Sequence, residues 1–378
     1  MKRTIAIKLN VTQKQSVDLL ETQEVFAKAC TEIVPFVVTN RCWNRVDLHH
    51  LSYYSLREDL PSLGSQMTCN AIQKVCSSYK ALKIKKSQTV PMIAFRKNGS
   101  VHYDKRTYSF RGGLLSLFTI RGRIQCSYQM GPHQEQYFSK GIVKEAELVW
   151  KNNCWYFNLV LELPDVDPIP HGGIFAIDVG ENNLATTSKG TIHGGGELRH
   201  KRDKFLSRRK KLQSNGSRSA KRCLKRISGK ERRHVKETNH IVSKAIVEEA
   251  VKSGAKIIVL EDLTNIRKRI KANKRMRSRL HRWSWHELQQ FVAYKAQAKG
   301  LEIVYVNPAY TSRFCSICGS LGSRRKHLFK CPNCGSYQHS DRNAAVNLLK
   351  LGESVVSSTA PVNMPMVAAT LLATSSAL

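Results

Sequence analysis

Acidic side chains are scarce in this chain. In 378 residues, 28 Asp and Glu stand against 62 Lys and Arg, a formal net charge of +34. Such an excess suits a phosphate backbone far better than a small acidic substrate, so a nucleic-acid partner is expected. Long apolar runs are missing too. No stretch approaches the roughly 18 residues that a membrane helix needs, and the opening MKRTIAIKLN turns polar too soon for a secretory signal. No membrane partner and no small-molecule cofactor is expected. Seven cysteines (Cys30, Cys42, Cys69, Cys76, Cys126, Cys154, Cys223) lack the spacing of a disulfide framework, which fits a reducing, cytoplasmic setting. Residues 352–378 hold no Lys or Arg and read as a flexible tail without an assigned role.

The other four cysteines stand in two pairs, Cys315/Cys318 and Cys331/Cys334, each with two residues between its members. A Cys-x-x-Cys turn presents two thiolates from one knuckle, and two knuckles complete a tetrahedral zinc site. Gly319 and Gly335 follow the knuckles, where the backbone must fold back. Residues 313–338 are therefore expected to form a zinc ribbon around one structural Zn²⁺. Directly after it, Asp341 opens a helical pattern in which Ala344, Ala345, Leu348 and Leu349 recur at i+3 and i+4 spacing. An Asp there can serve as a helix N-cap or as a metal ligand.

Along the chain, residues 2–9 alternate as a strand, and residues 12–38 and 65–83 carry helical stripes. From 90 to 163 the signal is β, with short runs such as 92–95 and 114–118. A hairpin is expected at Asn152-Asn153, since Asn tolerates positive φ. Tyr103, Lys105, Arg106, Tyr108, Phe110 and Arg111 interleave aromatic and basic groups, a mix that serves strand stacking or plain edge-strand solubility. Beyond the Pro-rich 165–170, the run 174–180 is apolar and ends in Asp178-Val179-Gly180; 255–261 repeats the design and ends in Glu261. Continuous apolar runs mark strands buried on both faces. Further strands are expected at 184–188, 190–193 and 301–306. Two central strands delivering an acid at one end, with Asp341 at a helix start, could converge on a divalent metal. Asp262 is a secondary candidate, since it would point to the opposite face.

Two basic stretches lie between these strands. The first contains Arg208, Arg209, Lys210, Lys211, Lys221, Arg222, Lys225 and Arg226, and passes into a helix at 234–252. Ile241, Val242, Ala245, Ile246 and Val251 form its expected core stripe. The second contains Arg267, Lys268, Arg269, Arg275 and Arg277 and leads to Trp283 and Trp285, read as core packing. Ser284 and Glu287 have the spacing of a capping box. Both stretches are candidate nucleic-acid surfaces, although a charge run is more often simply solvated.

Strand–Asp, strand–Glu and Asp-Arg-Asn-Ala-Ala after a four-cysteine ribbon resemble the split RuvC nuclease domain of the ribonuclease-H-like fold. The order of parts is similar to the transposon-encoded TnpB family, RNA-guided DNA endonucleases akin to compact type V CRISPR effectors. Its specific motifs all lie beyond Gly173. The resemblance implies an α/β fold: a RuvC-like domain (172–312 and 339–351) with a mixed five-stranded sheet and the inserted ribbon. It also implies a β-barrel-like N-terminal domain (1–12 and 88–165) with a helical insertion (13–87). It casts Asp178, Glu261 and Asp341 as catalytic ligands of Mg²⁺, two ions in all. Hard cations take carboxylate oxygens, and a pair of them can activate water and relieve the leaving oxygen. The implied partners are a guide RNA derived from the element and a double-stranded DNA target, in the cytoplasm of a bacterium or archaeon and associated with its nucleoid. Many relatives carry Asp where this chain has His339, a departure expected to matter little. Two other functions stand beside it: a non-cleaving RNA-guided or zinc-ribbon DNA-binding regulator, against which the three acids argue, and a transposase that transfers DNA strands with the same acids.

Overall fold

A computed structural model of the chain describes residues 1–264, 273, 277 and 284–357. They divide into two compact units, Met1–Asp165 and a second that begins at Val166.

Alternation builds the first unit. Its elements are β1 (Lys2–Asn10), α1 (Gln13–Asn40), α2 (Arg45–Asp59), α3 (Ser65–Leu82), β2 (Val101–Tyr103) and β3 (Tyr108–Arg111). They continue as β4 (Leu114–Thr119), β5 (Gly122–Gln129), α4 (Pro132–Phe138), β6 (Ile142–Lys151) and β7 (Cys154–Glu162). In β7 every second residue is buried, the signature of a sheet with one face on the core. Seven strands form one antiparallel sheet in the order β2-β6-β7-β1-β5-β4-β3. Its two end strands, β2 and β3, are separated by only residues 104–107, so the sheet must curl until its edges meet, and it is nearly closed. The Tyr103 hydroxyl reaches from β2 to β4, donating to the Phe118 carbonyl at 2.8 Å. Asn152 and Asn153 take φ of 51° and 57° between β6 and β7, the tight turn their side chains tolerate. Thr12 and Gln15 cap α1 reciprocally. Residues 92–95 form no strand: Ile93 and Phe95 do pack on the core, but no neighbouring strand pairs with that backbone.

The second unit holds a mixed five-stranded sheet in the order β10-β9-β8-β11-β12. Its strands are β8 (Gly173–Asp178), β9 (Asn183–Thr187), β10 (Ile192–Gly194), β11 (Ala255–Glu261) and β12 (Glu302–Val306). Helices α5 (Gly196–Asn215), α6 (Arg218–Ile227) and α7 (Lys230–Lys252) precede β11, and α8 (Trp285–Gln297) precedes β12. A three-stranded sheet, β13 (Ser323–Arg325), β14 (Leu328–Lys330) and β15 (Tyr337–His339), then runs into α9 (Ser340–Ser357). The sheet is covered on both faces, which explains the unbroken apolar run of β11. Phe175, Ile177, Ile258 and Leu260 pack with Val242, Ile246, Leu288 and Val292 of α7 and α8. Ala176, Ile257 and Val259 pack with Leu348 of α9.

Three local expectations are corrected. The buried stripe of α7 is Val235, Asn239, Val242, Ile246, Val247 and Ala250, while Ile241 and Val251 face solvent. Ser284 and Glu287 do not cap α8; both accept from the amide of the buried Asn239 instead, at 3.1 and 2.8 Å. Residues 352–357, read as the start of a flexible tail, are helical: the last helix runs to Ser357, with Gly352 buried against β11, and Trp283 and residues 358–378 are outside the described residues.

A Cβ on Gly352 would stand 2.4 Å from a methyl of Val259, which is itself fully buried. Gly352→Ala is therefore expected to lower stability by about 1–3 kcal/mol through overpacking. Thermal or urea unfolding measures this, and an unchanged midpoint would contradict the close seat of α9.

Candidate functional site

Strand register creates the site. β8 and β11 pair in parallel with Ile177 opposite Leu260, so the next residues, Asp178 and Glu261, leave the same edge of the sheet side by side. The two carboxyl groups are close enough to act directly on each other's charge. Asp341 arrives from the first turn of α9, whose Ala344, Ala345 and Leu348 are buried where the helix meets the sheet. The structure thus brings together three acids separated by 83 and 80 positions in the chain (261 − 178 and 341 − 261). Glu261 and Asp341 are buried, and Asp178 is partly so.

Crowding like charges out of water has a direct electrostatic consequence. Burial first, then the Asp341 carboxylate, pushes Asp178 up to about 7, against the pull of Arg324 and the hydrogen bond with Glu261. Burial, then the charge of Asp178, raises Glu261 well above the carboxylate range. Both acids therefore hold a proton more readily than a free carboxyl group. Asp341 does not cap its helix. Its Oδ1 accepts from the Arg324 guanidinium at 2.8 Å and from the Ser340 hydroxyl at 3.2 Å, and its Oδ2 accepts from the Asn183 amide at 2.9 Å. Asp262 is exposed and accepts from the Thr264 amide. On its outer side Glu261 lines a groove of about 300 Å³ with Trp285, His286 and Tyr305.

Two of these contacts escape a reading of the sequence. Arg324 lies in the run Arg324-Arg325-Lys326, and nothing in that run singles out the one side chain that reaches an acid. Asn183 looks like an ordinary turn residue. Its only signal is its place at the start of the strand antiparallel to β8.

The four ribbon cysteines also converge. Their sulfur atoms lie within 4.8 Å of one another, with Cys315–Cys334 at 3.7 Å and Cys318–Cys331 at 3.5 Å. An ion bound tetrahedrally with metal–sulfur bonds of about 2.3 Å sets its sulfurs about 3.8 Å apart, so the cluster fits one such ion with little rearrangement. Gly319 and Gly335 take φ of 75° and 70°, the backward fold each knuckle requires. Phe329 is fully buried beside Cys315 and Cys331.

Of the basic candidates, Arg208, Arg209, Lys210 and Lys211 are exposed on α5, and Lys221, Arg222, Lys225 and Arg226 on α6. Those two helices bury only Leu198 and Ala220, so their charge faces outward. Arg277 is exposed, while Arg267, Lys268, Arg269 and Arg275 are outside the described residues. No helix among the described residues is long and apolar enough to cross a membrane.

Residues 285–348 match the family model described as "Cas12f1-like, TNB domain", and residues 160–267 match one described as "Probable transposase". A TnpB-like protein of Methanocaldococcus jannaschii is 31% identical over 277 residues, 67% of this chain and 96% of that protein. A CRISPR-associated endodeoxyribonuclease Cas12f1 of Sulfoacidibacillus thermotolerans is 32% identical over 220 residues, 52% of this chain and 50% of its own length. Among solved structures, the mini-RNA-guided endonuclease CRISPR-Cas_phi3 aligns over 97% of this chain and 94% of that one. Its TM-score is 0.61 at 10% identity, a likeness of fold.

The raised Asp178 has a sign that can be tested. Its folded value, about 7, lies above the roughly 3.9 of an unfolded Asp, so its protonated form favours the folded state. That contribution is whole below about pH 4 and is lost as the pH climbs through about 7. Metal-free protein is expected to lose thermal stability across this window, and Asp178→Asn, which cannot ionise, to flatten the decline. Melting curves in chelator between about pH 5 and about pH 8 decide it. Parallel slopes for the two proteins would contradict the raised Asp178.

Proposed function

This chain belongs to the TnpB family, and on that footing we propose that it is an RNA-guided DNA endonuclease with a RuvC-like, magnesium-dependent site in a ribonuclease-H-like domain. The observation that carries the reading is the approach of Asp178, Glu261 and Asp341 to one another at the end of β8 and β11, close enough that the charges of neighbouring acids raise both strand acids. A structural cluster of acids would be offset by nearby cations, yet Arg324 is the one basic side chain ion-paired with it among the described residues. Oxygen donors crowded in this way suit a hard divalent cation.

Magnesium, when bound there, supplies an activated water and relief of charge on the leaving oxygen. The chain supplies the rest. Asp178 and Glu261, once ionised, would present oxygens from rigid strand ends. Asn183 fixes one oxygen of Asp341, and Arg324 holds the other until a stronger cation competes for it. The outward cations of α5 and α6 neutralise phosphates and so gather nucleic acid at the acids, giving an affinity that falls steeply with salt. The guide RNA, derived from the element, reads the double-stranded DNA target by base pairing. The four ribbon cysteines hold one structural zinc.

The test begins with protein purified together with its co-expressed nucleic acid, whose RNA is sequenced. Wild type and Asp178→Ala are both expected to retain a defined RNA. Plasmid cleavage in Mg²⁺ should fall by about 10²-fold or more in the variant, in keeping with the cost of disturbing a metal's surroundings. Equal cleavage would remove Asp178 from the chemistry. A defined RNA without cleavage by either protein would favour a non-cleaving regulator.

The ribbon has its own test. Cys331→Ser is expected to abolish the bound zinc measured by elemental analysis and to lower the melting temperature. Full zinc content in that variant would overturn the four-cysteine assignment.

A further inference from the structure

Metal-binding side chains meet a second time, where the ribbon joins α9. His327 sits in the turn between β13 and β14, and His339 is the last residue of β15. Pairing of Leu328 with His339 holds these two stretches together, and the His327 carbonyl accepts from the Ser340 amide at 2.8 Å. The two imidazole rings lie nearly parallel, at 20°, with centroids 5.6 Å apart. One ligand atom from each histidine and one carboxylate oxygen of Asp341 all lie within 4.8 Å of one another.

Neither histidine has a part in the nuclease proposal or in the ribbon core. We propose that His327, His339 and Asp341 form a separate site for a borderline transition cation of the zinc, cobalt or nickel class. Two imidazoles and one carboxylate favour such ions over magnesium, which prefers oxygen alone. Donors to one ion at about 2.1 Å stand up to about 4.2 Å apart, so closure needs only a small rotation, and His327 is exposed and free to make it. A carboxylate has about four lone-pair positions. Arg324 and Ser340 use Oδ1 and Asn183 uses Oδ2, which leaves Asp341 room for a further partner. The His339 Nδ1 accepts from the Asp341 amide at 3.3 Å, a long hydrogen bond that an ion readily displaces. Three protein ligands leave a fourth position to water, an open site unlike the closed cysteine cluster.

The site shares Asp341 with the acid cluster, so an ion in it withdraws a ligand from magnesium. That consequence, unlike the site itself, rests on the nuclease reading: traces of zinc beyond the structural ion would inhibit cleavage.

Cobalt separates the two sites by colour. Titrated into metal-free, full-length protein, the first Co²⁺ bound at the cysteines gives intense thiolate-to-metal bands, and these also report a folded ribbon. A second Co²⁺ is expected to add visible absorption without further thiolate bands. His327→Ala and His339→Ala should keep the first signal and weaken the second by about 10-fold or more, at least the cost of losing a supporting group. Asp178→Ala should keep both. Absence of a second ion, or an unchanged second ion in both histidine variants, overturns the site. In a separate arm, cleavage in Mg²⁺ is measured with rising zinc. Wild type should be inhibited and His327→Ala should resist; equal inhibition overturns the competition. A protein that never cleaves leaves the cobalt result standing, so failure of the nuclease reading and failure of this site are told apart.

Discussion

Parallel pairing of β8 with β11 obliges two carboxyl groups to leave one sheet edge together, and the rest of the second unit is arranged around that repulsion. Two ionised groups about 4 Å apart repel by about 4 kcal/mol at an effective dielectric near 20. A fold can bear this only by keeping a proton or by recruiting positive charge. Both devices are present. Asp178 and Glu261 are raised by burial and by neighbouring charge, and Arg324 reaches Asp341 from another element altogether. Perturbed carboxyl groups gathered in this way mark the strand ends as a functional-site candidate rather than a structural ion pair.

The third acid depends on how the ribbon is seated on α9. Asn343 accepts from the Ser316 amide and donates to the Phe314 carbonyl, and Asn347 donates to the carbonyls of Thr311 and Phe314. The Lys350 ammonium donates to the Ser316 carbonyl. These bonds satisfy the loop backbone around the first knuckle with side chains of the helix. The polar residues of the Asp-Arg-Asn-Ala-Ala run therefore divide their work: Asp341 turns to the acids, Asn343 turns to the ribbon, and the two alanines that follow, both buried, keep the helix close to the sheet.

How much of this could be read beforehand follows from the range of the forces involved. The acids at the ends of apolar runs were legible because burial on both faces leaves a continuous hydrophobic signature that stops where the strand meets solvent. The cysteine pairs were legible because ligand spacing is local. The Asn152-Asn153 turn was legible because it depends on two residues' own backbone preferences. Side chains that act across the fold left no such trace. Arg324 is one arginine among many, and the helical period of α7 alone could not say which of two adjacent apolar rows, Val242 and Ile246 or Ile241 and Val251, would face the sheet. The capping-box spacing at Ser284 misled for the same reason, since the buried Asn239 on another helix claims both groups. The run at 92–95 has the right alternation, but a strand also needs a partner.

A single residue, Ser340, lies between the last residue of β15 and Asp341, and its amide is tied back to the His327 carbonyl. With so short a joint there is no slack to absorb motion. Any tilt of the small sheet acts as a lever on the carboxylate, so whatever grips the ribbon from outside gains mechanical leverage over the distance between the third acid and the other two.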